Sequence, residues 1–201
     1  MKILIDNGHG LDTAGKRSPD GAYREALWAR SMAKRLREKL TRAPYNFRPE
    51  DIVLLVPEQT DIPLTTRARR ANVYGRDSLL VSLHSNAAGN GKWMNARGWS
   101  IYTSPGKTKA DTLATYIYEA AKQHLAPYGV TFRSDTTDGD PDYEARFTIL
   151  TATVMPAVLT ENLFHDNRED VALLQDPKVQ DAIATAHADG ILRYCKEQAA
   201  K

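Results

Sequence analysis

Cysteine occurs once in the 201 residues, at position 195, which excludes both a disulfide framework and a cysteine-rich metal site. Cys195 falls in a helical pattern near the C-terminus, a poor setting for a thiol nucleophile. No stretch approaches the roughly 20 consecutive apolar residues that span a bilayer. Met1 leads directly into a strand-like run, without the basic and apolar regions of a secretory signal. The chain is therefore expected either to start as a cytosolic product or to have been trimmed. Charge of neither sign dominates: 27 Lys and Arg stand against 25 Asp and Glu, for a net charge of +2. The basic residues are scattered, so nothing points to nucleic acid. Internal repeats, low-complexity tracts and long linkers are also missing.

What remains is an ordinary globular composition, 42% apolar and 26% charged, in strand-like and helix-like stretches that alternate as in an α/β layered fold. A strand is expected at 2–6. From Glu25 to Leu40, apolar residues at Ala29, Met32, Ala33, Leu36 and Leu40 trace one helix face. A buried strand follows at 51–56, then a helix after Pro63 through Arg67, Ala68 and Ala71, and a strand at 78–83. Gly89, Asn90, Gly91 and Gly98 mark a loop before a strand at 99–103. A helix over about 110–125 ends at Pro127-Tyr-Gly129. The turn-rich, acidic segment 134–141 precedes strands near 146–150 and 154–160. A short helix at 169–174 leads to a last one, with Asp176 as N-cap, Pro177 at the first helical position and Val179, Ala182, Ile183, Ala186 and Ile191 facing inward.

Chemistry concentrates at strand exits, where α/β sheets place their binding crevices. Lys2-Ile-Leu-Ile-Asp6 runs into Asn7-Gly-His-Gly10, and Ser82-Leu-His84-Ser-Asn86 closes another apolar run. Neutral imidazole is the commonest protein ligand for zinc. A hydrolytic zinc needs three protein ligands, an open position for water and a general base that is not a ligand. Glu25, opening its helix, and Glu161, following Val154-Met-Pro-Ala-Val-Leu-Thr160, are carboxylates at element ends that can converge on the same crevice. Taken singly, each has a plainer reading: a hydrogen-bonded structural histidine, a carboxylate favoured by a helix N-terminus, a solvated strand-end residue. The separation of His9 and Glu25 excludes a single-helix H-E-x-x-H site.

Five blocks resemble the zinc-dependent N-acetylmuramoyl-L-alanine amidases of the amidase type 3 family, in that family's order. They are Ile5-Asp-Asn-Gly-His-Gly10, the helix-opening Glu25, Arg67-Ala-Arg-Arg-Ala-Asn72, Ser82-Leu-His-Ser-Asn-Ala87, and Pro156-Ala-Val-Leu-Thr-Glu-Asn-Leu-Phe164 with Asn167. The resemblance implies that His9, Glu25 and His84 bind Zn2+ and that Glu161 is the catalytic carboxylate. It implies hydrolysis of the amide between N-acetylmuramic acid and L-alanine, with peptidoglycan or a muropeptide as partner. It also implies an α/β fold in which residues 1–201 form a single catalytic domain. That domain is expected to be a three-layer sandwich with a mixed, mostly parallel sheet of about six strands flanked by helices, acting as a monomer without membrane insertion.

Two rivals are a zinc carboxypeptidase-like peptidase acting on cell-wall peptides, which usually has a close H-x-x-E pair absent here, and an inactive wall-binding module, against which an intact Glu161 argues. Asn72, Asn86 and His165 are expected to be structural, His124 and His187 to be scaffold, and Arg67, Arg69 and Arg70 to form a solvated helix face with stem-peptide contact as the alternative. Short segments between the motifs leave little room for a helix that blocks the cleft, so an open site is expected. The place of action is the cell envelope, reached by a phage-type lysin after release or by a trimmed secreted enzyme.

Overall fold

The computed structural model describes residues 1–89 and 91–200; Asn90, expected in the loop after His84, and Lys201 lie outside the described residues. The first strand, β1 (Lys2–Asn7), places Ile3 and Ile5 against one core cluster and Leu4 against another on the opposite face. A strand apolar on both faces is the mark of a parallel sheet covered on both sides. Helix α1 (Glu25–Thr41) buries the predicted stripe. Strand β2 (Ile52–Leu54), helix α2 (Leu64–Asn72) and strand β3 (Ser78–Asn86) follow. Next come β4 (Ser100–Thr103), α3 (Lys109–Leu125), β5 (Tyr143–Glu144) and α4 (Thr148–Thr151). The chain ends with β6 (Ala157–Phe164), α5 (Arg168–Gln175) and α6 (Pro177–Ala199).

The six strands form one mixed sheet in the order β2-β1-β3-β6-β4-β5. Strands β2, β1, β3 and β6 run parallel, while β4 is antiparallel to β6 and carries β5 alongside it. The larger core cluster joins one sheet face to α1, α3, α5 and α6; the smaller joins the other face to residues of α2 and α4. This is the expected three-layer arrangement. No helix among the described residues is long and apolar enough to cross a membrane.

Several expected boundaries move, each for a local reason. The segment at 146–150 is not a strand: Ile149 and Leu150 are consecutive and both buried in the smaller cluster, which strand alternation forbids and a turn of helix permits. The following strand starts only at Ala157. Its neighbour Pro156 has no amide hydrogen and joins the ladder through its carbonyl, which accepts from Leu80 N at 2.9 Å. The strand expected at 51–56 shortens to β2, because Pro49–Asp51 forms a 3-10 turn before it. Strand β3 continues to Asn86, so His84 lies within a strand rather than beyond one, and Glu161 likewise lies inside β6.

One irregularity shapes the region around them. His84 pairs with Glu161, but Asn86 pairs with Phe164, so β6 holds one extra residue. Leu163 takes up the bulge at φ +66°. Beneath it, Asn162 Nδ2 donates to His84 O at 3.0 Å and its Oδ1 accepts from Trp99 Nε1 at 2.8 Å. The backbone of His84 is thereby tied to β6 and, through Asn162, to Trp99 just before β4.

Candidate active site

The C-terminal ends of β1, β3 and β6 converge with the first residue of α1. His9 follows β1 in a left-handed conformation, φ +56°, unusual for a residue with a side chain. Two guanidiniums hold its carbonyl: Arg30 Nη1 donates to His9 O at 2.9 Å and Arg67 Nη2 at 3.4 Å. The glycines on either side are a steric requirement. A Cβ on Gly8 would lie 2.4 Å from His84 Cε1, and one on Gly10 would lie 1.9 Å from the backbone nitrogen of Asp61.

Glu25 is 1% exposed. Its Oε1 lies 3.0 Å from His84 Nδ1 and 3.6 Å from His9 Nε2, and accepts from Ser85 N at 3.1 Å. One ligand atom from each of His9, Glu25 and His84 lies within 4.8 Å of the others. The two rings meet edge to face at 5.0 Å between centroids. Burial favours the neutral acid at Glu25, yet the hydrogen bond and charge of His84, with His9 and His165 nearby, outweigh it and lower the carboxyl to about 2. Burial lowers His9 to about 4. At His84 burial acts in the same sense, but Glu25 overcomes it and the group is raised.

Two imidazoles and one carboxylate are the donor set of a catalytic zinc site. A tetrahedral ion with bonds near 2.0–2.1 Å sets its ligands about 3.3 Å apart, and the 3.0 and 3.6 Å separations around Glu25 bracket that distance. Glu25 Oε2 has no hydrogen-bond partner among the described residues although it is buried. The residues fit such an ion.

Glu161 sits beside His84 in the sheet register. Its Oε2 is buried with no hydrogen-bond partner among the described residues, and burial raises the carboxyl to about 7 against the opposing pull of His84. Glu161, His9 and His84 line a cavity of about 620 Å³, whose other walls include Ile62, Leu64, Phe147 and Leu159, with Arg146. The four sequence-predicted residues are thus brought together.

Other expectations fare differently. Arg67 does not belong to a solvated face: it is 2% exposed and donates to Asp6 Oδ1 at 2.8 Å, Asn7 O at 2.6 Å and Ile62 O at 2.8 Å. Arg69 is exposed, and Arg70 pairs with Glu58. Asn72 ties α2 to the turn before β6, donating to Ala152 O and accepting from Val154 N, both at 2.9 Å. Asn86 Oδ1 accepts from Ala87 N, a local structural role. His187 is buried between Thr160 and Ile183, and His124 pairs with Asp189. The Cys195 thiol is pushed up to about 11 by burial. His165, by contrast, is brought against Glu25. Asp6, Ser82, Tyr23 and Ser85 escaped notice in the sequence because strand and loop residues of these types carry no periodic signal. The polar Asp6 at the end of an otherwise apolar strand was the one available hint.

Residues 3–193 match the family model described as N-acetylmuramoyl-L-alanine amidase. The endolysin of Bacillus phage SPP1 is 29% identical over 94% of this chain and 64% of its own length. The N-acetylmuramoyl-L-alanine amidase CwlM of Bacillus licheniformis is 32% identical over 96% of this chain and 68% of its own. The chain thus spans about two thirds of the length of these curated relatives. Among solved structures, an N-acetylmuramoyl-L-alanine amidase from Clostridium difficile 630 superposes with a TM-score of 0.81 at 27% identity, covering 98% of this chain and 97% of that one. The catalytic domain of CwlV from Bacillus (Paenibacillus) polymyxa gives 0.78 at 26% identity, with 98% and 99% covered.

Proposed function

The chain belongs to the N-acetylmuramoyl-L-alanine amidase family, and from that premise we propose that it is a single catalytic domain hydrolysing the amide between N-acetylmuramic acid and L-alanine of the peptidoglycan stem. The observation that carries the reading is the grouping of His9, Glu25 and His84 at ligand spacing, with the buried, unpartnered oxygen of Glu161 on the adjoining strand.

In this reading His9, Glu25 and His84 hold Zn2+ and Glu161 is the general base. Zinc supplies Lewis acidity, lowering the pKa of water from about 15.7 toward 7 and polarising a carbonyl oxygen. Glu161 takes a proton as the water oxygen attacks the lactyl carbonyl carbon, and returns it to the alanine nitrogen as the C–N bond breaks. The products are a free muramic carboxyl and a free α-amine. A carboxyl raised to about 7 by burial suits both halves of that task near neutral pH. The apolar side chains of Ile62, Leu64, Phe147 and Leu159 in the cavity wall lower the local polarity and strengthen electrostatic interactions beside them.

The partner is peptidoglycan or a muropeptide, met at the cell wall by a monomeric enzyme of the lysin type. The name of the SPP1 relative supports that setting. The test is incubation of the purified, zinc-loaded chain with a defined muropeptide, followed by mass spectrometry. Release of a stem peptide with a free L-alanine amine is expected. Trimming of a C-terminal amino acid instead points to a carboxypeptidase, and binding to sacculi without any cleavage points to a wall-binding module.

A further inference from the structure

On the flank of Glu25 formed by the loop before α1 and the ends of β3 and β6, three buried side chains make a chain of contacts. Tyr23 Oη donates to Ser85 Oγ at 2.9 Å, and Ser85 Oγ lies 3.1 Å from His165 Nδ1. That nitrogen is also 3.2 Å from Ser85 O and 3.8 Å from Glu25 Oε2. The Tyr23 and His165 rings stack at 6.2 Å with 19° between their planes. Tyr23, Ser85 and His165 are 3%, 3% and 2% exposed, and they lie outside the lining of the cavity.

The surroundings of Nδ1 settle which ring nitrogen carries the proton. A backbone carbonyl can only accept, and Ser85 O lies 3.2 Å from Nδ1. Nδ1 therefore carries the hydrogen, which Ser85 O takes in this structure, and Glu25 Oε2 lies 3.8 Å away. On the other side of the gap, Glu25 Oε2 is a buried acceptor without a hydrogen-bond partner among the described residues, a costly condition for a carboxylate oxygen. At 3.8 Å the two are not hydrogen-bonded in this structure; a contact requires the carboxylate to turn toward Nδ1 and to share its one hydrogen with Ser85 O. A ligating carboxylate is commonly held in this way through its other oxygen.

We propose that His165 is a positioning residue of the metal centre: seated by Ser85 and Tyr23, its Nδ1–H secures Glu25 Oε2 and leaves Oε1 to the cation. The proposal rests on the reading of His9, Glu25 and His84 as ligands. Loss of such a contact typically costs about 10–100-fold in metal affinity.

The test uses the full chain stripped of metal, with zinc affinity measured by competition against a chromophoric chelator, the visible spectrum of the cobalt-loaded protein, and the thermal midpoint of the metal-free form. His165→Phe keeps the stacked ring and removes the donor. It is expected to bind zinc about 10–100-fold more weakly, to alter the cobalt spectrum, and to melt, metal-free, close to the unsubstituted chain. His165→Asn, whose amide nitrogen takes the place of Nδ1, is expected to recover most of the affinity. His165→Gln, whose nitrogen falls nearer the place of Nε2, is not. If the Phe variant does not fold, the Asn and Gln pair decides: equal zinc affinities overturn the proposal. Affinity losses in all variants that merely track a drop in metal-free midpoint overturn it too, since packing alone explains them. Failure of the unsubstituted chain to bind zinc is a separate result, which overturns the ligand reading on which the proposal rests.

Discussion

Arg67 Nη1 lies 2.8 Å from Asp6 Oδ1, and both side chains are 2% exposed. The other oxygen of Asp6 accepts from Ser82 Oγ at 2.6 Å, and the guanidinium reaches on to Asn7 O. One buried ion pair therefore joins α2 to the ends of β1, which leads into His9, and β3, which carries His84. Removing one member of a buried pair leaves the other charge desolvated and uncompensated, at a cost of roughly 3–5 kcal/mol. Arg67→Met is expected to destabilise the chain by about that amount in urea unfolding. A loss below about 1 kcal/mol would show that water reaches Asp6 and that the clamp is unimportant.

Glu161 sits beside His84 but is not one of the three clustered ligands, so its removal is expected to separate catalysis from metal binding. Glu161→Gln keeps the shape and loses the base. Positioned acid and base groups contribute about 10²–10⁴-fold, and the variant is expected to lose at least that much muropeptide hydrolysis while retaining zinc in metal analysis. Loss of both together would mean that Glu161 serves as a ligand.

The Asn7-Gly-His-Gly10 run is dense in glycine because two neighbours crowd it. Gly8→Ala introduces a methyl 2.4 Å from His84 Cε1, so either the imidazole or the β1 exit must shift. The expected result is weaker zinc binding by chelator competition, with a smaller effect on the unfolding midpoint in the metal-free protein. Unchanged affinity would mean that the His84 ring moves aside without cost to the site.

Much of this was legible from residue order alone. Strand and helix periodicity located β1, α1, β3, α3 and α6 to within a few residues, because their apolar faces pack on the sheet. Residue type and position at element ends made the four residues of the candidate centre candidates, and the family resemblance of the blocks around them singled them out as a set. What periodicity missed was set by contacts distant in sequence. The bulge at Leu163 arises from register against β3, and nothing in Glu161-Asn-Leu-Phe164 announces it. Helix α4 is a single turn, too short to show a period of 3.6. Arg67 reads as a solvated cation in a basic stretch until the fold supplies Asp6 from sixty-one residues earlier. His165 looked like one more isolated polar residue, since its partners Tyr23, Glu25 and Ser85 come from two other parts of the chain.

Away from the site, Asp142 is 3% exposed, accepts from Thr103 Oγ1 at 2.5 Å and has Asp140 beside it. Burial first, and Asp140 second, push its carboxyl up to about 8, against about 3.9 in an unfolded chain. Between those values the folded state holds a proton that the unfolded state has released. The stabilisation from this proton is therefore fully present below about pH 4 and is lost as pH rises toward 8. Asp142→Asn has no proton to lose. Its stability is expected to fall less than that of the unsubstituted chain between pH 5 and pH 8, measured as urea midpoints across the range. Parallel curves for the two proteins would show that Asp142 titrates alike in both states. A carboxamide oxygen still accepts from Thr103, so a difference confined to the slope reports the proton that Asp142 holds together with its neighbour Asp140.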